Sequence, residues 1–165
     1  MNSNFSLSGH VNTPKGLQLD HEDARAELVR AISMSGRIGE AAKNIARVCL
    51  PHFEYEEKFV FPVFGLLPDL AAGKVRPEMA EALPLINGFN AWHDTFNTQH
   101  ESLGTGINAL LSAACKENNR EVIEFGYRLR AHERMEHEVI YPTVLAIGKF
   151  VQERFGLYLP HCSRS

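Results

Sequence analysis

The stretches HFEYEEKFVFP (residues 52–62) and HERMEHEVIYP (residues 132–142) repeat one pattern 80 residues apart. Each begins with a histidine, has a glutamate four residues later, and ends in an aromatic residue followed by proline. Residues four apart share one face of an α-helix, so each histidine and its glutamate should point the same way. Both faces carry the apolar residues of their segment, which predicts four inward side chains: His52, Glu56, His132 and Glu136.

Apolar residues recur at helical spacing in four segments, and strand signals are few. These segments cover residues 17–32, 38–66, 82–114 and 121–150. The connections SGRIG, LPDLAAGKVRP and KENNR interrupt the pattern with turn-forming residues. Pro51 lies inside the second segment and predicts a kink there, because proline removes one backbone hydrogen bond.

Four long amphipathic helices joined by mostly short connections predict an all-α fold, an antiparallel four-helix bundle. We expect this bundle to cover residues 17–155. The polar start of the chain, residues 1–16, is expected to be a flexible segment, and residues 156–165 a C-terminal tail.

Counting residues from the turns places one more histidine level with each repeated pair. His21 and His52 are equally far from the SGRIG turn, and His100 and His132 are equally far from the start of KENNR. We therefore expect the four histidines at one height of the bundle, one on each helix. The chain is a twofold repeat of a helix with one histidine followed by a helix with His-x-x-x-Glu.

Buried imidazoles and carboxylates are costly unless they pair with each other or bind a metal. An ion pair on each helix is the simpler interpretation, but two matching copies favour a metal site. Four imidazoles and two carboxylates suit two ions, each with two histidines and both bridged by the glutamates. Ligands without sulfur suit iron or manganese, with zinc as a frequent substitute during purification. The predicted ligands are His21, His52, Glu56, His100, His132 and Glu136.

The chain resembles the hemerythrin-like, HHE cation-binding family in the segments LDHED, HFEYE, TQHES and HERME, over about residues 17–150. The resemblance implies an up-down-up-down bundle that holds two iron ions with a bridging oxo or hydroxo group. Family members carry or sense oxygen, handle nitric oxide or peroxide, or act in iron homeostasis. Oxygen carriers have a fifth histidine where this chain has Phe96, and an aspartate where it has His137.

Composition excludes several other classes of protein. A length of 165 residues suits one domain, and a net charge of −3 gives no electrostatic case for binding nucleic acid or an anionic membrane. The N-terminus lacks the pattern of a signal peptide. Three cysteines without metal-type spacing suit a reducing compartment. We expect a cytoplasmic protein with neither a nucleic-acid nor a membrane partner; the sequence identifies no protein partner.

The leading functional expectation is a di-iron protein that binds oxygen, nitric oxide or peroxide for sensing, scavenging or carrying. The alternatives are a di-iron oxidase or peroxidase, an iron homeostasis module, and a bundle whose site is vestigial. Nothing in the sequence marks a pocket for an organic substrate, which favours a binding role over a dedicated enzyme. No catalytic residue is predicted.

Other polar residues near the motifs are expected to have lesser roles. Glu57 and Glu133 flank the ligand faces and are expected to be solvated. His137 is expected at the surface or behind the ligands, and His93 hydrogen-bonded in the core or at a pocket mouth. Tyr141 is expected to pack near the site or to donate a hydrogen bond there.

Overall fold

A computed structural model describes residues 13–156, apart from the side chains of His93, Asp94 and Asn97. Over this range the backbone forms helices and turns and no strand, which confirms the all-α prediction. The expected flexible start and C-terminal tail lie largely outside the described residues. Among the described helices, none combines the length and the apolar character that crossing a membrane requires.

Four long helical segments dominate the chain. The first two helices are α1 (Lys15–Ile32) and α2 (Arg37–Phe59). Short helices follow in the longer connection: α3 (Phe61–Phe64), α4 (Leu67–Ala71) and a 3₁₀ segment (Pro77–Ala82). The remaining elements are α5 (Leu83–Lys116), α6 (Arg120–Met135), a π-helix (Glu136–Ile140) and α7 (Tyr141–Phe155).

The ends of both repeated stretches interrupt their helices. The sequence pattern predicted one helix over residues 38–66, but α2 continues through Pro51 and ends at Phe59. The interruption falls at Val60, and Pro62 then lies in the first turn of α3, where its missing N–H is not needed. Before Pro142 the interruption takes another form, a π-helix that separates α6 from α7.

The connection between α5 and α6 uses the asparagines of KENNR. Asn118 adopts a left-handed conformation with φ of 53°, which asparagine tolerates better than most residues. Asn119 then caps α6, because its side-chain oxygen accepts a hydrogen bond from the Val122 N–H at 3.1 Å. The turn thus reverses the chain within a few residues.

The long helices contact one another in a closed ring: α1 contacts α2 and α6, α2 contacts α5, and α5 contacts α6. Apolar side chains inside this ring form two separate buried clusters. The first includes Leu28, Cys49, Leu103 and Leu129. The second includes Leu17, Val60, Phe96 and Ile140. Each long segment contributes to both clusters, so the residues between them form a layer across the interior.

Two glycines of α5 provide a test of this packing. A Cβ on Gly106 would lie 2.8 Å from Cγ1 of Ile45 on α2, whereas a Cβ on Gly104 would meet nothing within 4 Å. We expect Gly106→Ala to lower the free energy of unfolding, since overpacking costs about 1–3 kcal/mol. That cost outweighs the helix-propensity gain of about 1 kcal/mol.

The control variant Gly104→Ala is expected to stabilise the protein by up to about 1 kcal/mol, because it has the propensity gain without the clash. Urea denaturation of both variants measures the difference. A Gly106→Ala protein as stable as Gly104→Ala would show that α2 and α5 do not approach as described.

Candidate metal centre

The six predicted ligands meet in the layer between the two apolar clusters. Each of the four histidines comes from a different helix: His21 from α1, His52 from α2, His100 from α5 and His132 from α6. Glu56 follows on α2, and Glu136 is the first residue of the π-helix. His21, His52, Glu56 and Glu136 are fully buried. The side chains of His100 and His132 are 11% and 10% exposed.

The histidines fall into two pairs. The rings of His21 and His132 are 5.0 Å apart, and those of His52 and His100 are 4.9 Å apart. Glu136 forms a group of three with each histidine pair. In both groups the candidate ligand atoms lie within 4.8 Å of one another. Each group could therefore hold a metal ion.

Both glutamates lie between the pairs. Glu56 has one carboxylate oxygen 3.5 Å from Nε2 of His21 and the other 3.6 Å from Nε2 of His52. Glu136 has Oε1 2.7 Å from Nε2 of His132 and 3.5 Å from Nε2 of His21, and Oε2 4.0 Å from Nε2 of His52. Each carboxylate thus offers one oxygen to each side of the cluster.

Acceptor side chains hold three of the imidazole rings from behind. The Nδ1 of His21 lies 2.9 Å from Oε1 of Glu57, and that of His52 lies 3.0 Å from Oε1 of Gln99. The Nδ1 of His100 lies 3.1 Å from Oε2 of Glu133. Such partners fix the ring orientation and place the proton on Nδ1.

The expectation that Glu57 and Glu133 are solvated was wrong. Glu133 is only 7% exposed, and Glu57 is partly buried and pairs with Arg25 at 2.7 Å. Glu57 follows Glu56, and Glu133 follows His132. One residue further along a helix, a side chain points about 100° away from the ligand face, and here it reaches a histidine of the neighbouring helix. Gln99 was not singled out from the sequence, although it precedes His100.

A proton on Nδ1 leaves a lone pair on Nε2, and in His21 and His52 this lone pair faces carboxylate oxygens of Glu56. Among the described residues, Oε2 of Glu56, Oε2 of Glu136 and Nε2 of His132 form no hydrogen bond. The 2.7 Å contact between His132 and Glu136 lacks hydrogen-bond geometry. Lone pairs that converge without hydrogen-bond donors are stabilised by a cation. This group of nitrogen and oxygen atoms therefore fits a metal ion as its ligands.

Burial controls the protonation of the cluster. It lowers the pKa of His21 and His52 to about 4, against hydrogen bonds to Glu57 and Gln99 that raise it. Burial also raises the pKa of Glu56 well above its usual range, and the charge of Glu136 adds to that effect. The pKa of Glu136 is likewise raised by burial and then by Glu133. Neutral imidazoles are the form that binds metal ions.

A groove between α1 and α6 reaches the cluster from the surface. It has a volume of about 330 Å³, and His132 forms part of its lining. Asp20 and Asp23 line the same groove, together with Arg128, which pairs with Glu27. Of the two histidine pairs, that of His21 and His132 therefore lies closer to this groove.

The residues at which the chain departs from the oxygen carriers lie near the other pair. Phe96 is buried, with its ring 5.2 Å from that of His52. His137 is exposed, with its ring 6.0 Å from that of His100, and it belongs to neither ligand group. The side chain of His93 lies outside the described part of the structure.

Comparison with protein-family models, with curated proteins and with solved structures finds no match for this chain. Its function is therefore inferred from the geometry of this centre.

The raised pKa of Glu136 predicts a pH-dependent cost in metal-free protein. Above about pH 4.5 the unfolded glutamate loses its proton while the folded one keeps it, so folding becomes less favourable as pH rises through this range. Replacing Glu136 by Gln removes that proton uptake. With a chelator present, we expect Glu136→Gln to melt at a higher temperature than wild type near pH 8.

The difference should shrink as the pH falls below about 4.5, where the glutamate becomes protonated in the unfolded state as well as in the folded one. Glu138→Gln is the matched control, because Glu138 is exposed and pairs with Arg134 at 2.7 Å. Its melting curves should follow wild type at both pH values. A Glu136→Gln protein that is destabilised equally at every pH would contradict the buried protonated carboxyl.

Proposed function

We propose that this chain is a non-haem di-iron protein of the hemerythrin-like kind that binds oxygen or a related small ligand. One observation carries the proposal: each of two buried glutamates turns one oxygen towards each of two histidine pairs. A carboxylate placed between two imidazole pairs is the arrangement expected of a bridge between two ions. A set of isolated His–Glu ion pairs would leave fewer acceptor atoms facing one another.

The proposed fold around this centre is the antiparallel up-down-up-down four-helix bundle. The closed ring of contacts among α1, α2, α5 and α6 supports it. Carboxylate-bridged metal pairs are a recurring use of such bundles, with ligands that project inward from all the helices.

The chemistry of the donors supports iron or manganese over softer metals. The two groups consist of imidazole and carboxylate and include no thiol. Iron bound there would supply the redox chemistry that oxygen or nitric oxide requires. The protein's own contribution is to hold the rings and to keep water out, and Phe53, which stacks on His21 at 4.0 Å between ring centroids, serves that second purpose.

A di-iron oxidase or peroxidase is the alternative that one observation favours. The groove at His132 gives a substrate larger than a diatomic molecule a route to one side of the centre. Steady consumption of peroxide by the iron-loaded protein, at rates that free iron does not reach, would favour the enzyme over the binding protein.

Metal analysis tests the ligand set. Protein from iron-replete cells is expected to contain two metal ions per chain, one for each ligand group. His52→Ala and His132→Ala each remove a ligand from a different pair and should lose most of the metal. His137→Ala is the control, because it removes an exposed histidine next to Glu136 and should keep full metal content. Full occupancy in both ligand variants would refute the assignment.

Oxygen reactivity tests the proposed ligand. The bridging carboxylates stabilise the more highly charged ferric state, and the groove admits water next to His132. We therefore expect the anaerobic ferrous protein to be oxidised by oxygen to a stable ferric form, as suits sensing or peroxide handling. The optical spectrum before and after oxygen follows this change. A spectrum that returns to its starting form when oxygen is removed would instead indicate a carrier.

A further inference from the structure

The hydroxyl of Tyr141 lies inside the candidate metal centre. Tyr141 is 3% exposed, and its hydroxyl donates a hydrogen bond to Oε1 of Glu56 at 2.5 Å. The hydroxyl oxygen of Tyr141 also lies 2.9 Å from Nε2 of His100 and 3.3 Å from Nε2 of His52. It therefore touches both histidines of one pair and a glutamate that the two pairs share.

The π-helix brings Tyr141 to this face. In an α-helix the residue four positions after Glu136, Ile140, would follow it on the same side. Here the N–H of Tyr141 bonds the carbonyl of Glu136, five residues earlier, and this wider turn brings Tyr141 round to the ligand side. Single π-turns inside α-helices are frequent at functional sites.

The internal repeat provides a comparison within the same chain. Phe61 follows His52 by nine residues, as Tyr141 follows His132, and a proline comes next in both cases. Phe61 is fully buried, with its ring 4.7 Å from that of His21. Each histidine pair thus has one such aromatic residue beside it, and only the one beside His52 and His100 has an oxygen.

The surroundings of this oxygen exceed what its single proton can satisfy. Nδ1 of His52 faces Gln99 and Nδ1 of His100 faces Glu133, so both inward nitrogens are acceptors. A hydroxyl can donate to one acceptor only. It donates to Glu56, and its own lone pairs then face two further lone pairs. A shared cation in place of the proton would satisfy all four atoms.

We propose that Tyr141 is itself a metal ligand, binding through its oxygen the ion held by His52 and His100. This inference rests on the di-iron function proposed above. Ligand bonds of about 2.1 Å would place neighbouring donor atoms on one ion about 3.0–3.4 Å apart. The distances from the Tyr141 oxygen to the two Nε2 atoms have this size. On binding ferric iron, the phenol O–H bond breaks, an oxygen–iron bond forms, and the proton leaves to solvent with no change of oxidation state.

The two ions are consequently unequal. Tyr141 fills a position on the ion held by His52 and His100, whereas Phe61 offers no donor to the ion held by His21 and His132. An ion held by His21 and His132 would also lie next to the groove that His132 lines. We therefore expect exogenous small ligands to bind on the side of His21 and His132.

Optical spectroscopy of the full-length ferric protein tests the ligand. Phenolate bound to iron(III) gives an intense charge-transfer absorption in the visible, with tyrosine ring modes in its resonance Raman spectrum. We expect wild type to show both. Tyr141→Phe, which copies the Phe61 arrangement, should lose them while it still binds iron. Tyr55→Phe is the control: the Tyr55 hydroxyl donates to the Gly88 carbonyl at 2.8 Å, so this variant should keep the absorption.

The outcomes separate this inference from the function on which it rests. Wild type with two irons and no phenolate absorption, or a Tyr141→Phe protein that retains it, overturns the ligand role of Tyr141 and leaves the di-iron function standing. Wild type that binds no iron overturns both. If Tyr141→Phe fails to fold, the wild-type Raman modes and their persistence in Tyr55→Phe, Tyr127→Phe and Tyr158→Phe carry the test, since these are the other three tyrosines of the chain.

Discussion

The interior of this protein is organised by a cluster of buried imidazoles and carboxylates that has fewer hydrogen-bond donors than acceptors. Two carboxylates and four imidazoles converge there, and three of the imidazoles are fixed by partners on their outer nitrogen. In apolar surroundings such an arrangement is expensive, because each unpaired lone pair loses its interactions with water. The remaining features of the chain serve to hold these atoms in place: the placement of one histidine on each helix, the aromatic residues beside them and the interrupted helix ends.

Much of this arrangement could be predicted from spacing alone. The i, i+4 pairs identified Glu56 and Glu136, and equal distances from the turns identified His21 and His100 as their companions. These side chains do lie close together in the structure, because helical rise and periodicity are regular over long distances. Helix boundaries near the prolines were less accessible, since the pattern of apolar residues continues across both interruptions.

The residues that the sequence did not reveal are those whose role depends on a neighbouring helix. Glu57 and Glu133 are off the ligand face of their own helices, so periodicity assigned them to solvent. Their contacts with His21 and His100 depend on how adjacent helices are rotated, which a single helical pattern does not contain. Tyr141 was noted near the site, but its contact with His52 and His100 depends on a π-turn that adds one residue to the helical repeat.

The polar layer also divides the apolar interior into the two clusters described above. Both clusters lie on the same helical segments, but they do not contact each other. We expect such a fold to have two cooperative units, each of which can open while the other remains closed. Hydrogen exchange in each cluster would then report the local opening of that cluster. The polar layer sets how strongly the opening of one cluster depends on the opening of the other. Cations bound in the layer would tie all four helices together at one height. Metal content would therefore set the size of the unit that opens, and with it the path by which proteases reach the chain.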